Sequence, residues 1–277
     1  MTDQSFPAPA KLNLFLHVVG RREDGYHLLQ TVFRFLDHGD SIRIGVRRDG
    51  AIRLQRPLSG VPVEKDLCYR AAVLLKAATG CTLGADIDLE KRLPMGGGLG
   101  GGSSDAATVL MALDRLWGLG LPREELQHLG VRLGADVPVF IYGRSAFAEG
   151  VGEKLRPVSL APASYVVLVP PVEVSTAQIF TAPGLTRDTP EMKIPPLSEG
   201  CGHNDLEPVA VSAYPVIGDY LRWLRQYGDA RMTGSGGCVF VPFADRAAAE
   251  ACFKRRPDEI SGFVAEGLDV HPMYEEA

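Results

Sequence analysis

Between Leu93 and Asp105 the chain reads Leu-Pro-Met-Gly-Gly-Gly-Leu-Gly-Gly-Gly-Ser-Ser-Asp, with six glycines in the seven positions Gly96–Gly102. So dense a run loses backbone entropy on folding and makes sense only where the main chain must approach another group closely and aim N–H donors at it. Asp86–Leu89 before it alternates acidic with apolar residues, as a strand does. Ala106, Val109, Leu110, Leu113, Leu116 and Trp117 after it recur at helical spacing. A glycine loop between a strand and a helix N-terminus combines unpaired donors with the positive end of a helix dipole, which suits an anion, phosphate above all. Ser103, Ser104 and Asp105 fall where hydroxyl and carboxylate oxygens would cap the first turn.

Three further residues stand out. Lys11 and Asn13 are two apart in the apolar run 7–20, hence on one face of a strand. An ammonium and an amide there cost desolvation unless they meet a partner or a ligand. Asp136 follows Gly134 on a tight connection to a new apolar segment, where it either caps that segment or is free for another use.

Phosphate loops follow distinct sequence patterns. The Walker pattern fails, because Gly96-x4-Gly101 is followed by Gly102 and Ser103 and not by lysine. Gly96-x-Gly98-x-x-Gly101 meets the dinucleotide pattern formally, but Glu124, at the expected distance, opens a helix after Pro122 and does not end a strand. No His-Arg-Asp or Asp-Phe-Gly sequence supports a protein-kinase loop. Pro-x-x-x-Gly-Leu-Gly followed by small and hydroxyl residues fits.

The elements that must position these residues follow from periodicity. Residues 7–20 form a strand, Arg21–Tyr26 a turn through Asp24-Gly25, and Val32–Leu36 and Asp40–Val46 two further strands, the second with Ile42, Ile44 and Val46 alternating. Asp49-Gly50 with Ile52 and Leu54 suggests a hairpin. Helices are expected over Leu67–Ala78, capped by Asp66, and over Pro122–Leu133, with a loop at Glu149–Glu153. The proline- and alanine-rich Ala161–Ala163 suggests a boundary. Beyond it come a strand at Tyr165–Val169, a helix at Ser175–Phe180 and a polar loop at Thr181–Pro196. A helix from Asn204 toward Tyr227, interrupted near Pro215, precedes a glycine turn at Gly234–Gly237, a helix at Asp245–Arg255 and a strand at Phe263–Val270.

At 277 residues the chain suits two domains of roughly 150 residues each. Its formal net charge of -5 gives no general attraction to nucleic acid. The five cysteines, Cys68, Cys81, Cys201, Cys238 and Cys252, show no metal-ligand spacing and read as reduced thiols. No signal pattern or membrane-length apolar stretch is present, so a cytoplasmic protein without membrane contact is expected.

Pro94-Met95-Gly96-Gly97-Gly98-Leu99-Gly100-Gly101-Gly102-Ser103-Ser104 resembles the phosphate-binding signature of the GHMP kinases, with Gly101 and Gly102 making it richer in glycine than the usual form. Pro9-Ala10-Lys11-Leu12-Asn13-Leu14, Asp24-Gly25-Tyr26-His27, Gly134-Ala135-Asp136-Val137-Pro138, Asn204-Asp205-Leu206-Glu207-Pro208 and Thr233-Gly234-Ser235-Gly236-Gly237 extend the match over nearly the whole chain. Together they resemble the branch whose acceptor alcohol carries a cytidine diphosphate. The resemblance implies an α+β, two-domain GHMP kinase fold. Residues 1–160 would form a ribosomal-S5-like ATP-binding domain and residues 161–277 a ferredoxin-like domain on the substrate side. It implies ATP and Mg²⁺ as cofactors, a small cytidyl diphospho sugar alcohol as substrate, and no obligate protein partner.

By the same resemblance Asp136 takes the proton of the attacking hydroxyl, Lys11 polarises that hydroxyl, and Asn13 orients the alcohol or the base. Pro94 to Ser104 enclose the triphosphate, Ser103 or Ser104 holds Mg²⁺, and Gly234–Gly237 closes the other side of the cleft. Tyr26 and His27 read the cytidine, with Phe180 as the opposite wall of the base slot. Asp66 stands where the family shows asparagine, so toward adenine it can accept but not donate a hydrogen bond. A homoserine- or mevalonate-type kinase and a non-catalytic nucleotide-binding relative remain open alternatives on the sequence.

Overall fold

The structure is a computed structural model that describes residues 3–193 and 202–274. Cys201 and the end of the expected loop at 194–196 lie outside the described residues. In chain order the strands and helices are β1 (Gln4–Arg21), β2 (His27–Arg47), β3 (Ile52–Leu54), α1 (Leu67–Thr79), β4 (Gly84–Glu90), α2 (Gly101–Trp117), α3 (Arg123–Val131), α4 (Val137–Tyr142) and β5 (Ala146–Glu149). They continue with β6 (Lys154–Pro157), β7 (Ser164–Leu168), α5 (Thr176–Thr181), α6 (Glu207–Ala213), α7 (Pro215–Leu224), β8 (Arg231–Met232), β9 (Val239–Phe243), α8 (Arg246–Phe253) and β10 (Gly262–Leu268).

The spine is the antiparallel pair of β1, 18 residues long, with β2, 21 residues long. Where two strands were expected at 32–36 and 40–46, β2 runs unbroken through the polar stretch Asp37–Asp40. That stretch stays extended because the Asp40 carboxylate accepts from the Arg92 and Leu93 N–H groups at 2.6 and 2.8 Å. Gly39 permits the close crossing with β1: a Cβ there would fall 2.2 Å from the Ala8 carbonyl oxygen. One edge of β2 belongs to β1, while the other is shared in turn by β5 at Thr31–Phe33, β10 at Phe35–Leu36 and β4 at Ser41–Arg47.

The expected hairpin after Asp49-Gly50 does not form. The β2 edge is already occupied by β4 there, and β3 pairs with β4 in parallel after a crossover through α1. The turn at Asp24-Gly25 does close β1 onto β2, with Gly25 at φ 91° and Arg22 N–H donating to the Tyr26 carbonyl at 2.7 Å. The helix after Asn204 is broken as expected at Pro215, into α6 and α7.

Apolar periodicity becomes layers. On one face of the first sheet α1, α2 and α4 bury Leu75, Leu110, Leu113 and Phe140 against Phe35, Ile42 and Ile44. A second core packs Ile217 and Leu221 of α7 against Val166, Leu168, Val239 and Val241 of β7 and β9. A third, with Leu12, Leu36, Leu99, Val167 and Phe240, joins the two where β10 links β2 to β7. Each such side chain contributes about 1.5–3 kcal/mol by leaving water.

Asp66 caps α1 as expected, accepting from Cys68 N–H at 2.8 Å and Tyr69 N–H at 3.3 Å. Replacing it with alanine is expected to lower stability by about 1 kcal/mol, whereas asparagine, an equally good cap, should change it little. Urea unfolding of the two variants beside the parent protein measures the difference.

Candidate active site

The glycine run leaves β4 and turns into α2 with Gly96, Gly98 and Gly100 at φ 65°, 75° and 71°, a conformation that side chains rarely adopt. Gly100 itself occupies the cap position of α2 and no side chain caps the helix. Ser103, Ser104 and Asp105 therefore lie inside the first turns and not at the cap, so the first-turn N–H donors are left to another acceptor. Ser103 lines the adjoining cavity, whereas the Ser104 hydroxyl is fully buried and, among the described residues, without a partner.

A second glycine turn, Gly234–Gly237, backs onto the first. Cys238 N–H donates to the Gly97 carbonyl at 3.0 Å, and the Thr233 hydroxyl donates to Gly98 at 3.3 Å. A Cβ on Gly98 would lie 2.2 Å from the Thr233 carbonyl oxygen, and one on Gly237 would lie 2.8 Å from Gly97 Cα. The two turns thus approach backbone to backbone, which no larger residue at Gly98 or Gly237 would allow.

Lys11 and Asn13 are both almost fully buried in β1. Lys11 Nζ donates to the Gly98 carbonyl at 3.0 Å and to Asn13 Oδ1 at 2.5 Å, and lies 3.2 Å from Asp136 Oδ2. Asn13 is held in turn: Nδ2 donates to the Thr31 hydroxyl at 2.9 Å, and its backbone N–H donates to Thr233 Oγ1 at 2.9 Å. Asp136 sits at the cap position of α4 but makes no capping bond, which leaves its carboxylate to Lys11 and to the cavity. A carboxylate so placed can take a proton from an alcohol, and the ammonium beside it can stabilise negative charge.

Lys11, Asn13, Asp136, the glycine loop and the tip of the second turn at Gly234 and Ser235 line one cavity of about 940 Å³. It runs from Pro94–Ser103 past Lys11 and Asp136 to Tyr26, His27 and Phe180. Tyr26, at the β1–β2 turn, is 65% exposed. The rings of His27 and Phe180 lie 5.1 Å apart, tilted by 31°. His27 Nε2 faces Arg187, whose Nε donates to it at 3.1 Å. Burial, and then the cationic Arg187 and Arg21, push the His27 imidazole below its ordinary value, so it is neutral at pH 7. Asp66 also lines the cavity, but its carboxylate is engaged in capping α1.

Sequence reading missed a buried charge cluster beneath the glycine loop. Lys91 Nζ bridges Asp40 Oδ2 at 2.6 Å and Asp105 Oδ2 at 2.7 Å. Burial outweighs the opposing Lys91 ammonium and, with Asp40 beside it, pushes the Asp105 carboxyl up to about 7. Arg187 was missed too, because an arginine in a polar, proline-rich loop carries no sign of burial.

Comparison with known proteins places the chain. The model described as "GHMP kinases N terminal domain" matches residues 66–144, and "GHMP kinases C terminal" matches 191–259. A 4-diphosphocytidyl-2-C-methyl-D-erythritol kinase of Thiobacillus denitrificans is 61% identical over 98% of both chains. One of Nitrosospira multiformis is 59% identical over 98% of this chain and 93% of its own. A crystal structure of 4-(cytidine 5'-diphospho)-2C-methyl-D-erythritol kinase superposes with a TM-score of 0.78 at 34% identity, covering 95% of this chain and 99% of that one. A mevalonate kinase structure, at 15% identity and a TM-score of 0.67 over 96% and 99% of the two chains, shares the fold alone.

The Asp105 proton gives a pH test. In the unfolded chain this carboxyl ionises near its ordinary 3.8, while the folded protein holds the proton to about 7. Its contribution to stability is therefore present below pH 4 and lost as the pH rises toward and past 7. Asp105→Asn is expected to flatten that part of the profile, so that the urea midpoint falls less between pH 5 and pH 8 than in the parent. Coincident profiles would contradict it.

Proposed function

The chain belongs to the GHMP kinases, in the family of the 4-diphosphocytidyl-2-C-methyl-D-erythritol kinases, and we propose that it transfers the γ-phosphoryl group of ATP to the 2-hydroxyl of 4-diphosphocytidyl-2-C-methyl-D-erythritol. That reaction is a step of the non-mevalonate route to isoprenoid precursors. The observation that carries the reading is the meeting of Lys11 and Asp136 at 3.2 Å, inside one cavity that joins a phosphate loop to an aromatic slot.

The two-domain GHMP kinase fold supplies the parts that phosphoryl transfer needs. The transition state gathers charge on the transferred group, so catalysis is positioning and charge stabilisation more than covalent work. The N–H groups of Gly96–Gly102 and of the first turn of α2, uncapped by any side chain, suit the triphosphate. Asp136 takes the proton of the attacking hydroxyl as that oxygen bonds to phosphorus and the bond to the β-phosphate oxygen breaks, releasing ADP. Lys11 offsets the developing negative charge. Asn13, whose amide bonds both Lys11 and Thr31, aims the lysine from the cavity wall.

Ser103, a hard oxygen donor in the first turn of α2 and on the cavity wall, suits Mg²⁺ better than the enclosed Ser104 does. When bound with ATP, that ion neutralises phosphate charge. Among the described residues no group of three or more His, Cys, Asp or Glu side chains could hold a metal, in keeping with an ion carried mainly by the nucleotide.

Tyr26, His27 and Phe180 recognise the cytidine base, Tyr26 by stacking from the exposed side. Among the described residues no helix is long and apolar enough to cross a membrane. We place the reaction in the cytoplasm, where ATP is available and the free thiols of Cys68, Cys81, Cys238 and Cys252 would stay reduced.

Turnover of ATP with the cytidyl substrate, homoserine and mevalonate tests the assignment directly, and activity on either of the last two alone would overturn it. Asp136→Asn is expected to lower kcat by roughly 10²-fold or more while leaving ATP affinity nearly intact. Tyr26→Ala should raise KM for the cytidyl substrate and leave KM for ATP unchanged, as steady-state kinetics with each substrate varied would show.

A further inference from the structure

Asp136 makes no capping bond, so apart from Lys11 its position is set by the helix it begins, and α4 has only six residues. A helix that short is not stable alone, and its last carbonyls need partners from elsewhere in the chain. Gly143 N–H donates to the Val139 carbonyl at 3.0 Å. The Ile141 carbonyl accepts from the Tyr274 hydroxyl at 2.7 Å, across 133 residues of sequence. The Tyr142 carbonyl accepts from Arg123 Nη1 at 3.1 Å, and the Arg123 guanidinium lies over the Tyr274 ring, 4.1 Å from its centroid. Tyr274 is thus common to both bonds that finish α4 from outside.

The segment that brings Tyr274 there is itself fixed to the end of α4. Ser145 N–H donates to the Asp269 carbonyl at 2.8 Å, His271 N–H to the Gly143 carbonyl at 3.0 Å, and Tyr274 N–H to the His271 carbonyl at 2.8 Å. Gly143, at φ 77°, leaves the space that the tyrosine ring fills: a Cβ there would fall 2.3 Å from Cδ2 and Cε2. The fully buried His271 ring meets Phe140 in a T-shaped contact, with centroids 6.4 Å apart. Phe140 in turn reaches the catalytic cleft, since a Cβ on Gly100 would lie 3.0 Å from Phe140 Cζ and 3.0 Å from Lys11 Cε. α4 therefore runs from a clamp at its last turn to the Lys11–Asp136 pair at its start, roughly 9 Å away at about 1.5 Å per residue.

We propose that Tyr274 is a positioning residue for phosphoryl transfer: by holding the last turn of α4, Tyr274 sets where Asp136 stands relative to Lys11 and the attacking hydroxyl. The inference rests on Asp136 as the base argued above. Tyr274 does not line the cavity and acts through the helix. Without the clamp the short helix shifts, and the distance from the base to the hydroxyl proton is what the transfer feels most. The nucleotide, held by the glycine loop and α2, binds as before.

The test is a double-mutant cycle in the full-length enzyme. Tyr274→Ala is made in the parent and in Asp136→Asn, and kcat and the KM values for ATP and the cytidyl substrate are measured in each. In the parent background kcat is expected to fall about 10-fold, short of the roughly 10²-fold that a misplacement of about 1 Å costs, with both KM values within about twofold. In Asp136→Asn the same substitution should change kcat by less than about twofold, because the base it positions is already gone. An equal fold-loss in both backgrounds, or an unaltered kcat in the first, would overturn the proposal and leave Tyr274 a stabilising residue only. Tyr274→Phe keeps the ring and removes the bond to Ile141. It carries the same cycle if the alanine variant does not fold, with a loss of about threefold expected in the parent background, the scale of one hydrogen bond. Hydrogen exchange is the second measurement. Amides of residues 137–143 should exchange faster in Tyr274→Phe than in the parent while those of α2 do not, and unchanged exchange there would overturn the proposal. A parent enzyme inactive on the cytidyl compound refutes the substrate assignment instead, and the exchange measurement then still decides whether Tyr274 holds α4.

Discussion

An ammonium group that is almost wholly out of water needs its charge met on several sides, and at Lys11 three separate parts of the chain meet it. The carbonyl of Gly98 comes from the glycine loop, Oδ1 of Asn13 from the same strand, and the carboxylate of Asp136 from the start of α4. The desolvation cost of burying the cation is offset only when all three are in place. Formation of the site is therefore coupled to the docking of loop, strand and helix. Lys11 N–H also donates to the Leu99 carbonyl at 2.9 Å, so main chain and side chain of one residue both hold the loop.

The same residue explains the polarity of the surrounding shell. Because Asn13 Oδ1 accepts from Lys11, its Nδ2 must find an acceptor, and Thr31 on β2 supplies one. Thr31 passes the demand on, donating to the Phe15 carbonyl at 2.5 Å. The chain of donors ends on the β1 backbone, at a place where the register with β2 shifts between Asn13 and Leu16. Such a bulge re-aims side chains, and here it lies beside the residue that orients the lysine.

Much of this was legible in the sequence, for a physical reason. A lysine and an amide on one face of an apolar strand, and a glycine run between strand and helix, are costly where they stand, and costly features point to a partner. The family models and relatives agree with that reading of the chain as a GHMP kinase. The continuity of β2 was hidden because Asp37-His38-Gly39-Asp40 has the composition of a turn, and only the backbone donors of Arg92 and Leu93, some fifty positions on, keep it extended. The parallel pairing of β3 was hidden because it depends on β4 having taken the β2 edge first. Asp105 read as a cap residue, since nothing local shows that Lys91 lies beneath it. Arg187 could not be read at all, because its partners gather only when residue 27 and the segment after α5 are neighbours.

The order in which β2 acquires its neighbours bears on how the chain reaches this state. β5 and β4 flank the two positions, Phe35 and Leu36, that wait for Leu268 and Gly267. During synthesis from the N-terminus the first sheet can therefore assemble while a short length of its edge stays unsatisfied until more than two hundred further residues have been made. An open edge of this kind is a template for unwanted pairing. Its brevity, and the occupied stretches on either side of it, leave an incoming foreign strand too little backbone to grip.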